Sequence, residues 1–252
     1  MTKNIFICDV DGVITDSTDE CLIVSWNAYQ DVKKRKAFIS SVEDADASFD
    51  KYFRSVRNYV RCMDEYLVVF ESDFKITCQN DFYNALSSLD NEALYYYGKC
   101  FFRQRNKLRS FDIKSWVNLH KFYKGVIQSL VDIKRRYSLY IVTGKDKESV
   151  INIFDHFGFH VEPSLIYDKY SAKNKFASIQ KIAEIESISL SKIWFLDDNV
   201  NHLLEPKKAG VNTLLASWGY VLDEHREIAK DNAVKEISLD SFVNFYKEDS
   251  YV

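Results

Sequence analysis

Glycine and proline are scarce: seven glycines and two prolines stand among 252 residues, against average usage of about 7% Gly and 5% Pro. A collagen-like or low-complexity chain is excluded, and each glycine invites a physical reason. Cysteine is sparse and odd in number, five with no CxxC pair. That argues against a disulfide framework or a zinc site and for a reducing compartment. Excess charge of one sign is missing too. The 34 Lys+Arg and 37 Asp+Glu leave a formal net charge of −3, so no electrostatic case exists for nucleic acid or an anionic membrane as a partner. No apolar run approaches the ~18–20 residues of a spanning helix, and Tyr66 to Phe70 is typical of the longest. The opening stretch Ile5–Cys8 runs directly into Asp9 and Asp11, which is no signal-peptide pattern. The expectation is a soluble, cytoplasmic protein of one large domain or two modest ones, with 46% hydrophobic and 28% charged residues.

What is present has a rhythm. Asn4–Cys8 is a continuous apolar run, the form of a parallel strand covered on both faces. Similar runs recur at Leu139–Thr143, Leu165–Tyr167, Ile193–Asp197 and Val211–Leu215. Between them, Val150, Ile153, Phe154 and Phe157 follow helical spacing up to Gly158, and Phe176, Ile179, Ile182 and Ile185 do the same. Strand and helix alternating from about residue 114 onward predict an α/β, doubly wound parallel sheet with right-handed crossovers. The stretch from Asp19 to Arg109 breaks that rhythm. It reads as helical and rich in aromatics (Trp26, Tyr29, Phe49, Tyr52, Phe53, Tyr66, Phe70), and so predicts a smaller, inserted all-helical domain, returned to the sheet by a long helix near Ser115–Arg136. We take the core as 1–18 and 113–252 and the insertion as 19–112. Lys33–Lys36 reads as a solvated helix end. The cluster Arg103, Arg105, Lys107 and Arg109 reads as a solvated hinge or as a hold on an anionic substrate.

In an open parallel sheet, ligands bind beyond the carboxyl ends of the strands, so the polar residues just after the apolar runs are the ones to collect. Asp9 and Asp11 follow the first run at i and i+2, and the alternation of an extended chain would send both carboxylates to one side. Such a pair can divide labour, one acid as nucleophile or metal ligand and the other for proton transfer. Gly12 allows a tight turn or a close backbone approach. A calcium loop is ruled out because Val13 and Ile14 stand where it needs an oxygen ligand and glycine. Thr143 and Gly144 offer a hydroxyl and turn N–H groups to phosphate oxygens, or form a plain turn. Lys173 and Lys175 precede and open the next helix, where an ammonium would offset phosphoryl charge. Asp197 and Asp198 put acids at a further strand end, where oxygen ligands suit Mg²⁺ and where Asp198 or Asn199 can also cap a helix.

Taken in order, Asp9-Val-Asp-Gly-Val-Ile-Thr-Asp16, Ile141-Val-Thr-Gly144, a lysine at 175 and Phe195-Leu-Asp-Asp198 resemble the four signature motifs of the haloacid dehalogenase superfamily. More narrowly, the chain resembles the phosphoglycolate-phosphatase-like branch with a helical cap after the first motif. Tyr123-Lys-Gly125, Lys208-Ala-Gly210 and Ser217-Trp-Gly219-Tyr220 support the likeness, and every glycine except Gly98 finds a place in it. The resemblance implies a Rossmann-like core in which Asp9 attacks phosphorus to form an aspartyl-phosphate. It implies that Asp11 protonates the leaving alcohol and later activates water. Thr143 and Gly144 would bind the phosphoryl group, with Lys175 balancing its charge. Mg²⁺ would lie between Asp9, the backbone carbonyl of Asp11 and Asp198, with Asp197 as support. Two departures stand out: this branch places proline after its lysine, whereas Lys173 and Lys175 are both candidates here, and His202 stands where many relatives have Asp or Asn.

The second acid of the first motif favours phosphate ester hydrolysis or phosphoryl transfer, because dehalogenating and phosphonate-cleaving members need no acid for an alcohol leaving group. The resemblance therefore implies a Mg²⁺-dependent phosphatase acting on a small phosphorylated metabolite. A sugar-phosphate mutase shares the acid pair and is the enzymatic alternative. A non-catalytic binding protein of the same fold is the other alternative, one expected to have lost Asp9 or its metal acid. His120, His156, His160 and His225 show no ligand spacing. Tyr95–Tyr97 and Phe101-Phe102 are expected to pack the cap or its seam, with a substrate-lining role for one or two of them as the alternative.

Overall fold

The structure is a computed structural model that describes residues 4–244. The ends of the expected core domain, 1–3 and 245–252, lie outside the described residues. Among the described residues, six parallel strands form the main sheet: β1 (Ile5–Cys8), β4 (Ser138–Val142), β5 (Ile166–Tyr167), β6 (Ile193–Asp197), β7 (Asn212–Ala216) and β8 (Lys235–Ile237), in the order β5-β4-β1-β6-β7-β8. Two further strands, β2 (Thr15–Asp16) and β3 (Lys121–Phe122), pair antiparallel. Helices cover both faces of the sheet, so the fold is the Rossmann-like α/β arrangement expected.

The register follows from apolar alternation. β1 aligns Ile5 with Ser138 and Ile193, and Cys8 with Ile141 and Leu196. Ile5 and Ile7 join Tyr140, Val142, Ile193, Phe195 and Leu215 in one buried cluster with Ile179, Ile182 and Leu203 from the helices Lys175–Ile185 and Val200–Lys208. Phe6 points the opposite way, as strand periodicity requires, and meets Tyr137 and Phe242 at ring distances of 5.9 and 6.3 Å. Burying side chains on both faces is why the strand reads as an unbroken apolar run. The chain runs from β1 outward to β4 and β5, then restarts on the other side of β1 with β6. That reversal leaves a crevice beyond the carboxyl end of β1.

By compactness the chain divides into one unit of Met1–Asp16 with Lys121–Val252 and a second of Ser17–His120. The second unit is helical, dominated by Thr18–Val32 and Asn91–Phe111. Its core is aromatic: Tyr29 stacks on Phe70 at 4.3 Å, Phe53 on Tyr66 at 5.2 Å, and Tyr66 on Phe101 at 5.8 Å. Gly98 finds its reason here, since a Cβ would stand 3.3 Å from Asp64 Cβ where the long helix meets the turn Met63–Leu67. The expected single helix over Ser115–Arg136 is two, Ile113–Val117 and Val126–Arg136, with β3 between them. Gly125, at φ +84°, turns the chain into the second helix, a conformation that other residues adopt only with strain. The passage between the units therefore falls after His120, later than the expected residue 112.

Candidate functional site

β1 stops at Cys8 and delivers Asp9 directly into the crevice, its N–H bonded to Leu196 O at 3.0 Å. The chain then turns sharply around Val10, whose carbonyl accepts the N–H groups of Val13, Ile14 and Thr15. Gly12 takes φ +80° within this turn. Strand alternation is thus not what places Asp11; the turn does. Asp9 and Asp11 are both buried, at 6% and 8% exposure, so little bulk water reaches either carboxylate to stabilise its charge.

The charge on Asp9 is answered from the side. Lys175 Nζ donates to Asp9 Oδ2 at 2.5 Å and to Asp197 Oδ2 at 2.7 Å. Of the two candidate lysines, then, Lys175 reaches the acids, and it does so from the first residue of a helix capped by Asn174. Burial pushes the Asp9 carboxyl above its ordinary value; Lys175 opposes this, and the neighbouring Asp197 and Asp11 charges add to the rise. For Asp197, burial is outweighed by Lys175 and His202, which hold it well below the usual carboxylate range. Burial would lower the Lys175 ammonium, yet Asp197 and Asp9 raise it above its ordinary value. The trio is thus a carboxylate–ammonium–carboxylate bridge.

His202 resolves one of the departures noted in the sequence. Its Nδ1 lies 3.3 Å from both Asp197 oxygens, on the helix Val200–Lys208 that Asn199 caps through the Asn201 N–H. Asp197 Oδ1 also accepts the Asn199 N–H at 2.8 Å, so Asp197 is occupied by protein partners. Asp198 is gripped from β7's side, where Tyr220 N–H donates to its Oδ2 at 2.8 Å. The Tyr220 hydroxyl donates to Asp16 at 3.0 Å and Trp218 Nε1 to Val13 O at 3.0 Å. Gly219 packs so tightly between them that an added Cβ would stand 2.3 Å from Gly12 O. The segment Ser217–Tyr220, read from sequence only as a family mark, is a strap joining the Asp198 loop to the Asp11 turn.

Thr143 and Gly144 follow β4, beside β1. Thr143 is buried at 3%, and its N–H is bonded to Tyr167 O at 2.9 Å; Gly144 has open space around its Cα. The link from this turn to the acids is a residue that sequence reasoning passed over. Lys145 is wholly buried, with Nζ 3.3 Å from Asp11 Oδ1. The available signal was its place directly after Thr143-Gly144 at a strand end.

Ligand atoms of Asp9, Asp197 and Asp198 lie within 4.8 Å of one another. These hard oxygen donors suit Mg²⁺, and the upward pressure on Asp9 is what a bound divalent cation would relieve. The Asp11 carboxylate is not in this trio. The basic cluster at 103–109 is engaged within the helical unit: Arg103 pairs with Asp31 at 2.6 Å, and Arg105 with Glu20 at 2.7 Å with both side chains fully buried. Tyr97 and Phe101 are buried in that unit's core, while Tyr95 and Tyr96 are exposed.

The sequence profile of the haloacid dehalogenase-like hydrolases matches residues 3–210. Among solved structures, a predicted phosphoglycolate phosphatase from Haemophilus somnus is similar with a TM-score of 0.63 and 18% identity over 98% of each chain. A predicted phosphatase from Clostridium acetobutylicum is similar with a TM-score of 0.65 and 15% identity, over 97% of this chain and 98% of that one. A haloacid dehalogenase-like family hydrolase from Streptococcus pneumoniae follows with a TM-score of 0.59 and 14% identity over 94% of each. At these identities the likeness is one of fold. No curated protein is similar to the chain in sequence.

Proposed function

Since the chain belongs to the haloacid dehalogenase-like hydrolases, we propose that it is a Mg²⁺-dependent, phosphoglycolate-phosphatase-like enzyme that hydrolyses a small phosphorylated metabolite through an aspartyl-phosphate on Asp9. The observation that carries this reading is the buried Asp9 at the sheet's reversal point, held by Lys175 while a second acid, Asp11, stands two residues away. Its cysteine usage fits the reducing cytoplasm, and no helix among the described residues is long and apolar enough to cross a membrane.

In this reading an Asp9 carboxylate oxygen attacks phosphorus as the bond from phosphorus to the ester oxygen breaks. The electron pair stays on the leaving oxygen, which takes a proton from Asp11. Water then attacks the same phosphorus, gives its proton to Asp11, and expels the Asp9 carboxylate. The sum is ester plus water to alcohol plus phosphate. Asp9, Asp198 and the Asp11 carbonyl would hold Mg²⁺, which when bound neutralises negative charge gathered around the phosphoryl group. Thr143 and Gly144 donate hydrogen bonds to phosphoryl oxygens, and Lys175 offsets charge on the nucleophile's side. Asp197, committed to Lys175 and His202, keeps that ammonium in place.

The test is phosphate release from a panel of sugar phosphates, nucleotides, phosphoglycolate and an aryl phosphate, with Mg²⁺ and with chelator. Asp9→Asn should lower kcat by at least about 10³-fold. Metal-independent release, or full turnover by Asp9→Asn, would overturn the proposal. Release by neither protein with the fold intact would turn attention to phosphate migration between sugar positions, the mutase reaction.

A further inference from the structure

We propose that Lys145 is a positioning residue for ester cleavage: it holds the Asp11 carboxyl where that acid reaches the leaving-group oxygen. The proposal rests on the reading of Asp11 as the proton-transferring acid.

Lysine is almost never fully buried unless it is paired, and Lys145 has no exposed side-chain surface at all. An ammonium enclosed in this way is out of a substrate's reach. Its Nζ lies 3.3 Å from Asp11 Oδ1, and the Asp11 side chain keeps 10% exposure, so one flank of that acid is closed by lysine while a small part stays open. The other end of Lys145 is fixed as well, since its backbone N–H donates to Thr143 Oγ1 at 3.2 Å. Asp11 itself sits on the turn gathered around the Val10 carbonyl, which fixes its backbone but leaves χ1 and χ2 to be set by contacts. Lys145 supplies one such contact. The two lysines of the site thus serve different acids: Lys175 meets Asp9 and Asp197, whereas Lys145 meets Asp11.

A structural role and a positioning role differ in how the loss depends on the leaving group. An aryl oxyanion departs with little help from an acid, whereas an alkyl oxygen needs the proton in the transition state. The ratio kcat/KM covers events up to formation of the aspartyl-phosphate, so it carries the leaving-group step even where the later hydrolysis limits kcat. The experiment measures kcat/KM for 4-nitrophenyl phosphate and for glycerol 2-phosphate with Mg²⁺, using the full chain, Lys145→Met and Asp11→Asn. We expect Lys145→Met to raise the aryl-to-alkyl ratio about 10–100-fold. Asp11→Asn should raise it by at least as much. Equal losses on both substrates, or no loss on either, in Lys145→Met would assign Lys145 to packing and overturn the proposal. If Asp11→Asn leaves the ratio unchanged, the reading of Asp11 fails and takes the proposal with it; a shift in Asp11→Asn alone refutes only the role of Lys145. Cooperative melting checks that the variant folds. Should Lys145→Met fail to fold, Lys145→Gln, which keeps an N–H donor without the charge, is read against the same outcomes.

Discussion

Replacing Gly219 with alanine strikes the site at its tightest point. A Cβ there would stand 2.3 Å from the Gly12 carbonyl oxygen, 2.4 Å from Asp198 Cβ and 2.8 Å from Asp198 Oδ2. Ordinary contact begins at 3.4 Å, so overpacking forces a retreat of about 1 Å. The first obstacle is backbone and the second is the root of a short side chain, so neither can rotate away. The shift therefore falls on Asp198 or on the turn that carries Asp11. Moving a catalytic group by ~1 Å costs on the order of 10²-fold in rate, and disturbing what supports a metal ligand costs about 10–100-fold in metal affinity. We expect Gly219→Ala to raise the Mg²⁺ concentration for half-saturation about 10–100-fold and to lower kcat/KM about 10²-fold, with overpacking removing ~1–3 kcal/mol of stability. The Mg²⁺ titration is followed by phosphate release and, separately, by the metal-dependent rise in melting temperature, which reads binding without turnover. Unchanged midpoints in both would refute the idea that the Ser217–Tyr220 strap sets the position of Asp198.

Asp197→Asn removes the charge that holds Lys175 beside Asp9, and is expected to lower kcat/KM about 10–100-fold; activity within twofold of wild type would show that Lys175 needs no such partner. Arg105→Met leaves Glu20 charged in a fully buried setting, and should destabilise the chain by about 3–5 kcal/mol in urea unfolding, an effect that Glu20→Gln alone would also produce. His225 is held below its ordinary pKa by burial, so the unfolded chain binds the more protons once pH drops below its value near 6.5. Stability from this group is complete above that range and lost as pH falls through it. His225→Gln should therefore flatten the decline in melting temperature between about pH 7 and 5, and an unchanged slope would exclude His225 as the cause.

Five of the six main-sheet strands were legible as apolar runs, and the acids that follow β1 and β6 announced the site. β8 was not legible: Lys235-Glu-Ile is a short edge strand carrying charge, as unpaired edges often do. The pair β2–β3 has two residues in each strand, too few for any period to register. The helix expected over Ser115–Arg136 was wrong in its continuity because Gly125 was read as a family mark, whereas its positive φ makes it the turn into a second helix. Gly98, left without a reason, turned out to serve close helix packing.

By itself the sequence determined the class of fold and the family likeness, and it showed which acids follow the buried runs, since these depend on local spacing. Only the tertiary structure decided which partner each acid has. Lys175 over Lys173, Lys145 against Asp11 and the Tyr220 N–H on Asp198 join residues from different strand ends, whereas His202 meets Asp197 from the helix that follows the same strand. Contacts of that kind arise when parallel strands align their carboxyl ends, and no periodicity along the chain records them.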